Sequence, residues 1–361
     1  MAALLRFTLF EPVVTGAVLL GFFYGPPEVR EKVAARLSTL PFHLTTDTLV
    51  RVFQGLFALG VARRVSGFID WLSFRNWELF YSGAPWAWDQ EVAVVTGGSG
   101  DIATELIKKL IAKGIKVAVL DVQQLPAATK NEKLVKFYKC DLTSSAAVHE
   151  AALAVKKDLG TPTILVNNAG IAIGAPITQI SDAKLDLVFK VNLISQWYTV
   201  REFLPGMIDS RKGHIVTVAS MASYTGVAGI SDYCATKAGA LAFHECLTQE
   251  IRHLHQAPFV RTTCAHPFWT STAMVTDIKD GIKKTDALIT PQYVGDVLAR
   301  AIFSKNGAHV VIPDYNPKMR VAPLLRGLPS WINSIGNDTT KENILTAVRA
   351  NPDLIRKRNT P

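Results

Sequence analysis

Three polar side chains in the second half of the chain have the types and spacing for proton transfer at a substrate oxygen. Tyr233 and Lys237 are four residues apart in "YCATK", which places them on one face of a helix. A tyrosine hydroxyl has a pKa of about 10, and a neighbouring ammonium stabilises the phenolate that a base at neutral pH requires. Ser220, thirteen residues before Tyr233 at the end of a predicted strand, can hold the substrate oxygen against the tyrosine. These residues indicate alcohol oxidation or carbonyl reduction.

Other polar residues near this set have simpler interpretations. Asn192 lies in "FKVNLIS", an otherwise apolar helical pattern, which indicates a polar task such as holding a water. Ser231 is expected to cap the helix that carries Tyr233. Ser223 is a rival for Ser220, but only ten residues separate it from Tyr233. No HExxH, paired carboxylates or GxSxG occur, so no metal site and no hydrolase are expected.

A glycine-rich turn lies between a predicted strand and helix in "VVTGGSGDIATELIKKL". Backbone N–H groups in such a turn approach a pyrophosphate closely, at the positive N-terminus of the helix. Asp121 closes the next strand, twenty-one residues after Gly100. A carboxylate there accepts hydrogen bonds from both ribose hydroxyls and repels a 2′-phosphate. The sequence therefore predicts a dinucleotide site that favours NAD(H) and leaves NADP(H) open.

Together these motifs resemble the short-chain dehydrogenase/reductase family over about residues 91–313. "LVNNAG" resembles the family's second signature, "CDLT" its adenine contact, "YCATK" its Tyr-x-x-x-Lys and "HPFWTSTAM" its PGxxxT segment over the nicotinamide. The resemblance implies a catalytic set of Ser220, Tyr233, Lys237 and Asn192. It also implies these cofactor contacts: Thr96, Gly97, Ser99, Gly100, Ile102, Asp121, Asp141, Leu142, Asn168, Ala169, Gly170, Tyr233, Lys237, Pro267, Thr270 and Thr272.

The chain departs from the family pattern at two glycine positions of TGxxxGxG and at one of PGxxxT. Asp101 and Ala103 stand at the second and third glycines of the turn, and Phe268 replaces the glycine of PGxxxT. Ala103 should preserve helix–strand packing, whereas Asp101 is expected to cap the helix while adding negative charge near a pyrophosphate. Residues 275–290, "VTDIKDGIKKTDALIT", form either a lid over a lipophilic substrate or an ordinary surface helix.

Strands alternate with amphipathic helices after Glu91. This alternation predicts right-handed βαβ units and an α/β fold, a Rossmann-type doubly wound parallel sheet with helices on both faces. The predicted strands cover residues 91–96, 116–121, 135–140, 163–168, 214–220, 260–266 and 308–313.

The first 90 residues carry the apolar excess of a chain that is 48% hydrophobic and 19% charged. Residues 12–27 are uncharged but shorter than the roughly 20 residues of a spanning helix, and Leu49 to Phe57 predicts an amphipathic helix. Tryptophans suit the water–lipid boundary, and four fall close together: Trp71, Trp77, Trp86 and Trp88. A hydrophobic helical anchor is therefore expected. The alternative is a helical flap on the catalytic domain.

The whole chain has a net charge of +9, and much of this positive charge lies at its C-terminal end. From Tyr315 onward there are eight basic and three acidic residues, without a nucleic-acid motif. An anionic membrane surface is therefore a better partner than nucleic acid. The four cysteines lack metal or disulfide spacing, which favours a reducing compartment. We divide the 361 residues into a membrane-anchoring segment (1–90), an NAD(P)-binding catalytic domain (91–313) and a basic tail (314–361).

The sequence thus predicts a membrane-associated oxidoreductase that resembles the retinol and 17β-hydroxysteroid dehydrogenase-like branch. The resemblance implies a lipophilic substrate (a retinoid, steroid, long-chain alcohol or secondary metabolite). It also implies a place at the endoplasmic reticulum or lipid droplet, with the catalytic domain facing the cytosol. Two alternatives stand beside it: an epimerase or dehydratase, suggested by the TGxxGxxA spacing, and a cofactor-binding membrane-surface protein without activity. The substrate, the direction of reaction and the oligomeric state, with a homodimer among the options, stay open.

Overall fold

A computed structural model describes residues 11–38, 45–276 and 288–338 of the chain. Two compact units divide it, Met1–Ser73 and Phe74–Pro361.

The described residues of the first unit form helices α1 (Pro12–Tyr24) and α2 (Pro27–Ser38) and all but the last residue of α3 (Thr46–Phe74). The Glu11 carboxylate joins the start of α1 to α3, since its oxygens lie 2.6 Å from Arg63 Nη2 and 2.5 Å from Arg64 Nη2. These hydrogen bonds, that of Arg64 first, hold the pKa of Glu11 below its usual range.

Helix α3 is the apolar element of membrane-spanning length in the described part of the chain. It has 29 residues, and its most apolar 18-residue window is 6% buried. The sequence predicted an amphipathic helix that carries Leu49 to Phe57 on one face. The structure has a helix there, and it extends from Thr46 through Trp71 to Phe74.

The second unit is built on a seven-stranded sheet in the order β3-β2-β1-β4-β5-β6-β7, with every pair parallel. The strands are β1 (Val92–Thr96), β2 (Lys116–Asp121), β3 (Val135–Lys139), β4 (Ile164–Asn167), β5 (Gly213–Val218), β6 (Val260–Pro267) and β7 (Ala308–Ile312). The predicted α/β doubly wound fold is confirmed. Each strand lies within two residues of its predicted bounds, and β5 ends at Val218, so Ser220 follows the strand rather than closing it.

Helices lie on both faces of this sheet. The described helices of the unit are α4 (Asp101–Ile111), α5 (Ala127–Lys130), α6 (Ser145–Leu159), α7 (Asp182–Phe189), α8 (Ser195–Asp209), α9 (Ser231–Gln249), α10 (Ala273–Thr276), α11 (Pro291–Phe303), α12 (Pro317–Val321) and α13 (Ser330–Asp338). Along β1, Ala93 and Val95 pack with α4 and α11, whereas Val94 packs on the opposite side with α6 and α8. Because both faces are covered, the strand is apolar at nearly every position.

Two of the four clustered tryptophans pack against the hydrophobic core of the second unit. Trp88 packs edge-on against Phe303 at a ring-centroid distance of 5.3 Å, and Trp86 lies 5.3 Å from Trp88. The membrane-boundary interpretation was therefore wrong for Trp86 and Trp88. The alternative, in which the rings pack against the catalytic domain, is confirmed for these two residues, although only a three-residue 3-10 turn, Trp88–Gln90, is helical here.

The strand order reverses between β1 and β4. In an open parallel sheet, such a reversal leaves a crevice outside the carboxyl ends of the two strands, and ligands bind there. The residues that follow β1 and β4 are therefore the first to consider for a site.

Candidate active site

The glycine turn after β1 takes a path that side chains would obstruct. Gly97 has φ +60°, and a Cβ built on it would lie 2.7 Å from Ala169 Cα. A Cβ on Gly98 would lie 2.4 Å from Val119 Cγ1. Gly100 then provides the N-cap of α4, whose first N–H groups, at Asp101 and Ile102, have no acceptor within the helix. The turn thus brings backbone donors to the crevice.

Thr96 and Asn168 join the ends of β1 and β4. The buried Thr96 Oγ1 accepts hydrogen bonds from the backbone N–H of Asn168 at 3.0 Å and of Ala169 at 3.2 Å. In return, Asn168 Nδ2 donates to the carbonyl oxygens of Thr96 and Gly97, both at 3.1 Å. These bonds fix the two loops against each other at the crevice.

Asp121 lies at the carboxyl end of β2, beside the turn. Its Oδ2 accepts a hydrogen bond from Ser99 N at 3.0 Å, and its Oδ1 accepts one from Gln123 N at 2.9 Å. A carboxylate has about four acceptor positions, so both oxygens retain capacity for ribose hydroxyls.

The segment after β3 holds the two residues matched to the adenine contact. Asp141 Oδ1 accepts hydrogen bonds from the N–H and hydroxyl of Thr143, at 2.9 and 2.8 Å. Leu142 is 7% exposed and packs in the core, so only its backbone is available to a ligand.

Asp101 does not cap its own helix, contrary to the sequence prediction. It occupies the first helical position after Gly100, and no side-chain capping bond forms there. Instead Asp101 Oδ2 accepts a hydrogen bond from Ala273 N at 3.0 Å, at the start of α10. The carboxylate therefore ties the cofactor turn to the segment that follows β6.

Lys237 and Tyr233 lie together near the start of α9. Lys237 is 3% exposed, and its Nζ donates to the carbonyl oxygen of Val218 at 2.7 Å. The same Nζ lies 5.6 Å from the centre of the Tyr233 ring. Burial lowers the pKa of Lys237 to about 8. Burial raises the pKa of Tyr233, and a hydrogen bond with Ser220 opposes this rise.

Ser220 reaches this pair from the loop after β5. Its Oγ accepts a hydrogen bond from Ala222 N at 3.1 Å and donates to the carbonyl oxygen of Pro267 at 3.4 Å. The rival Ser223 is fully buried and donates its hydroxyl to Lys237 O at 2.8 Å. Ser220 is thus the serine placed beside Tyr233.

The N-cap of α9 is Ile230 rather than Ser231, contrary to the sequence prediction. Ser231 is the first helical residue, and no side-chain capping bond forms at this helix start.

Asn192 lies in a π-helical turn, Lys190–Ile194, between α7 and α8. Its amide exchanges two hydrogen bonds with the backbone of Ile171, at 2.8 and 2.9 Å. Its Nδ2 also lies 3.1 Å from Thr236 Oγ1, which donates to Tyr233 O at 2.9 Å. The wide turn frees the carbonyl oxygen of Asn192, which accepts a bond from Gln196 Nε2 at 2.8 Å. Such turns are frequent at functional sites.

The segment after β6 closes this side of the site. Pro267 ends the strand, Thr270 forms a parallel bridge with Ile289, and the hydroxyl of Thr272 donates to Thr270 O at 3.4 Å. Phe268 packs against the core of the sheet. Most of the segment 275–290 that the sequence predicts as lid or surface helix lies outside the described residues.

Sequence reasoning missed a pair of side chains behind Ser220. His266 Nδ1 lies 3.2 Å from the Ser220 carbonyl oxygen, and His266 Nε2 lies 3.1 Å from Tyr224 Oη. Because a carbonyl only accepts, Nδ1 carries the proton and Nε2 accepts from the tyrosine. Burial lowers the pKa of His266 to about 3, so the ring is neutral. A histidine directly before the Pro267 match was the only sequence signal.

The residues present fit a nicotinamide dinucleotide. A Cβ on Gly170 would lie 3.4 Å from Lys237 Nζ and 3.7 Å from Asn192 Oδ1, so the glycine leaves space beside the ammonium. The turn donors and Asp121 lie at the same edge of the sheet. Among the described residues, no group of three or more His, Cys, Asp or Glu side chains is placed to hold a metal ion.

Comparisons with known proteins agree with this geometry. The sequence profile described as short chain dehydrogenase matches residues 91–283. Dehydrogenase RED2 of Cochliobolus heterostrophus is 37% identical over 203 residues, 56% of this chain and 77% of its own length. Epidermal retinol dehydrogenase 2 of Homo sapiens is 28% identical over 60% of this chain and 72% of its own. Estradiol 17-beta-dehydrogenase 11 of Mus musculus is 29% identical over 60% and 73%.

Solved structures share the fold of the catalytic unit. Ligand-free aldohexose dehydrogenase of Thermoplasma acidophilum aligns with a TM-score of 0.52 and 22% identity, covering 62% of this chain and 92% of that one.

Proposed function

Since the chain belongs to the short-chain dehydrogenase family and is an NAD(P)-dependent oxidoreductase of alcohol and carbonyl groups, we propose that it acts with NAD(H) on a lipophilic alcohol or ketone at a membrane surface. The observation that carries the proposed chemistry is the buried Lys237 ammonium, 5.6 Å from the ring of Tyr233. When bound, the nicotinamide supplies or accepts the hydride at the substrate carbon.

Tyr233 transfers the proton at the substrate oxygen, and Ser220 orients that oxygen by a hydrogen bond. In reduction, the Tyr233 hydroxyl gives its proton to the oxygen of the carbonyl; in oxidation, the phenolate takes the proton of the alcohol. Because burial raises the pKa of Tyr233, the protonated form that reduction requires is the ground state here. Oxidation requires stabilisation of the phenolate, which the positive charge of Lys237 provides.

Asn192 positions Tyr233 through Thr236. The hydrogen bonds from Asn192 to Ile171 and Thr236 join the loop after β4 to the first turn of α9. Positioning of this kind contributes to catalysis because a proton donor must lie within hydrogen-bond distance of the oxygen.

The residues that would hold the cofactor follow the crevice between β1 and β4. The turn at Gly97 to Ile102 would bind the pyrophosphate, Asp121 the adenosine ribose, and Asp141 and Leu142 the adenine. Lys237 would bind the nicotinamide ribose, while Pro267, Thr270 and Thr272 would close over the nicotinamide. Ser99, Asn168, Ala169 and Gly170 shape the walls between these contacts.

Membrane attachment is supported by α3 and by the relatives. The helix is long and apolar enough to cross a bilayer and is almost uncovered. Two relatives are named for retinol and estradiol, both lipophilic alcohols. We also propose a place at the endoplasmic reticulum or lipid droplet, with the catalytic unit in the cytosol.

A panel of lipophilic alcohols and ketones, supplied in vesicles and followed by cofactor absorbance with NAD(H) and NADP(H) in parallel, tests the proposal. We expect turnover with at least one long-chain, steroid or retinoid substrate and a preference for NAD(H). Asp121→Ser should shift that preference toward NADP(H) by about tenfold, which corresponds to about 1.4 kcal/mol. Cofactor binding without turnover across the panel would contradict the proposed activity. A wild-type preference for NADP(H) would contradict only the role of Asp121.

A further inference from the structure

The chain leaves α3 along a disfavoured backbone path. Asn76 has φ 55° and Trp77 has φ 65°, so two consecutive residues with side chains adopt the left-handed conformation. This conformation is unfavourable for residues with a Cβ and persists only where the surrounding structure imposes it. Such outliers concentrate at functional positions.

Buried groups of the second unit hold this path. Arg261 is 0% exposed on β6. Its Nη1 donates to Arg75 O at 2.5 Å and to Pro258 O at 2.7 Å, and its Nη2 forms an ion pair with Glu78 Oε2 at 2.9 Å. Asn76 Nδ2 also donates to Pro258 O, at 2.8 Å. Hydrogen bonds to Arg261 of β6 and to Pro258 just before that strand therefore fix the segment.

The fixed path directs apolar side chains into solvent. Trp77 is 49% exposed, Leu79 is 53% exposed and Phe80 is 82% exposed. The Arg252 guanidinium lies 5.9 Å from the centre of the Trp77 ring. We call Trp77, Leu79 and Phe80 the aromatic ridge. The rings of Trp86 and Trp88, which are close to the ridge in sequence, instead pack against the core of the second unit.

We propose that the aromatic ridge rests on the phospholipid surface, at the boundary between headgroups and acyl chains. Tryptophan with an adjacent guanidinium has the apolar body and polar edge that this boundary favours. The covalent chain supports the same occupant. Phe80 is six residues from the end of α3, so it lies within about 20 Å of that end whatever the arrangement of the two units. This inference rests on the membrane attachment of α3 proposed above.

Quenching of tryptophan fluorescence by brominated acyl chains tests the ridge in the full-length protein. The protein is bound to vesicles of phosphatidylcholine with a minority of phosphatidylserine, with and without bromine on the acyl chains. We expect Trp77→Phe to remove a measurable part of the quenchable emission. Trp88→Phe is the matched control, because Trp88 packs against Phe303 and should contribute none. Adding Phe80→Trp to Trp77→Phe should restore the quenching, which also shows that the first variant folds.

The outcomes separate the ridge from the anchor. Vesicle-bound protein whose quenching is the same in wild type and Trp77→Phe, without gain from Phe80→Trp, overturns the ridge and leaves the anchor standing. Full-length protein that does not bind vesicles overturns both. Loss of self-association in Phe80→Ser, without a change in quenching by the brominated lipid, would overturn the lipid assignment and give this face to a second copy of the chain.

Discussion

Strand β1 and helix α3 are both apolar, but they differ completely in burial. All five residues of β1 are buried, because helices on both sides of the sheet cover them. In α3, by contrast, Gly60 is the one buried residue among 29. Composition alone therefore does not decide burial; the presence of a covering partner within the chain does. Because described residues of the chain leave this helix largely uncovered, it is the element that we propose for membrane attachment.

The largest effect should come from the covered region, through a change that leaves α3 untouched. Tyr233→Phe removes only the transferable proton, so we expect turnover to fall by roughly 10²- to 10⁴-fold. Cofactor affinity should be nearly unchanged, whereas Lys237→Ala should lower both. Initial rates and a cofactor titration by fluorescence measure the two quantities. Wild-type rates in Tyr233→Phe would disprove the proposed mechanism.

Deleting residues 1–62 tests the uncovered region directly. The truncated protein should appear in the soluble fraction after membrane flotation and still bind cofactor, because no described residue before Val92 belongs to the sheet. Full-length protein should stay on membranes in molar salt, since salt screens charge but not burial of apolar surface. Release by salt would leave only an electrostatic contact. Aggregation or loss of cofactor binding on truncation would show that the helices cover the second unit.

The pH dependence of cofactor affinity tests the buried positive charge of Lys237. Burial lowers the pKa of Lys237 to about 8, so the ammonium loses its proton as the pH rises through that value. We expect the affinity of the wild type for NADH to fall over the same pH range. It should approach the affinity of Lys237→Met, which should not vary with pH. Because the folded pKa lies below the unfolded one, wild type should gain stability relative to Lys237→Met between about pH 8 and 10.4. If NADH affinity and stability varied with pH in the same way in wild type and Lys237→Met, the titration assigned to Lys237 would be wrong.

The smallest effect concerns the residues behind Ser220. Tyr224→Phe leaves His266 Nε2 without its donor, at a cost of about 1–3 kcal/mol of stability. We expect kcat to fall a few-fold with little change in KM, because the Ser220 carbonyl loses its fixed partner. Tyr138→Phe is the matched control, since its hydroxyl bonds Asp158 at 3.0 Å. It should lower stability without lowering kcat. Equal kcat in both variants would make the His266 contact structural only.

The sheet and the choice of Ser220 over Ser223 could be predicted from the sequence, because local patterns encode both. Periodicity locates the strands, and spacing favours the serine. The partner of Asp101 could not be predicted, because Ala273 is 172 residues away and donates through its backbone. The positions of Trp77 and Trp88 also could not be separated. Their chemistry is the same, and long-range hydrogen bonds of Arg261 and Asn76 hold the backbone path that directs Trp77 outward.

The π-helical turn at Lys190–Ile194 has a consequence for how the site tolerates insertions and deletions. Such a turn contains one residue more than an α-helical turn, and each residue of an α-helix advances the side-chain direction by about 100°. Deleting one residue from this turn would restore a regular helix and rotate every preceding position of α7 relative to α8 by that angle. Asn192 would then leave Ile171 and Thr236 even though no contacting residue had been replaced. The position of this amide therefore depends on residue number as well as residue type.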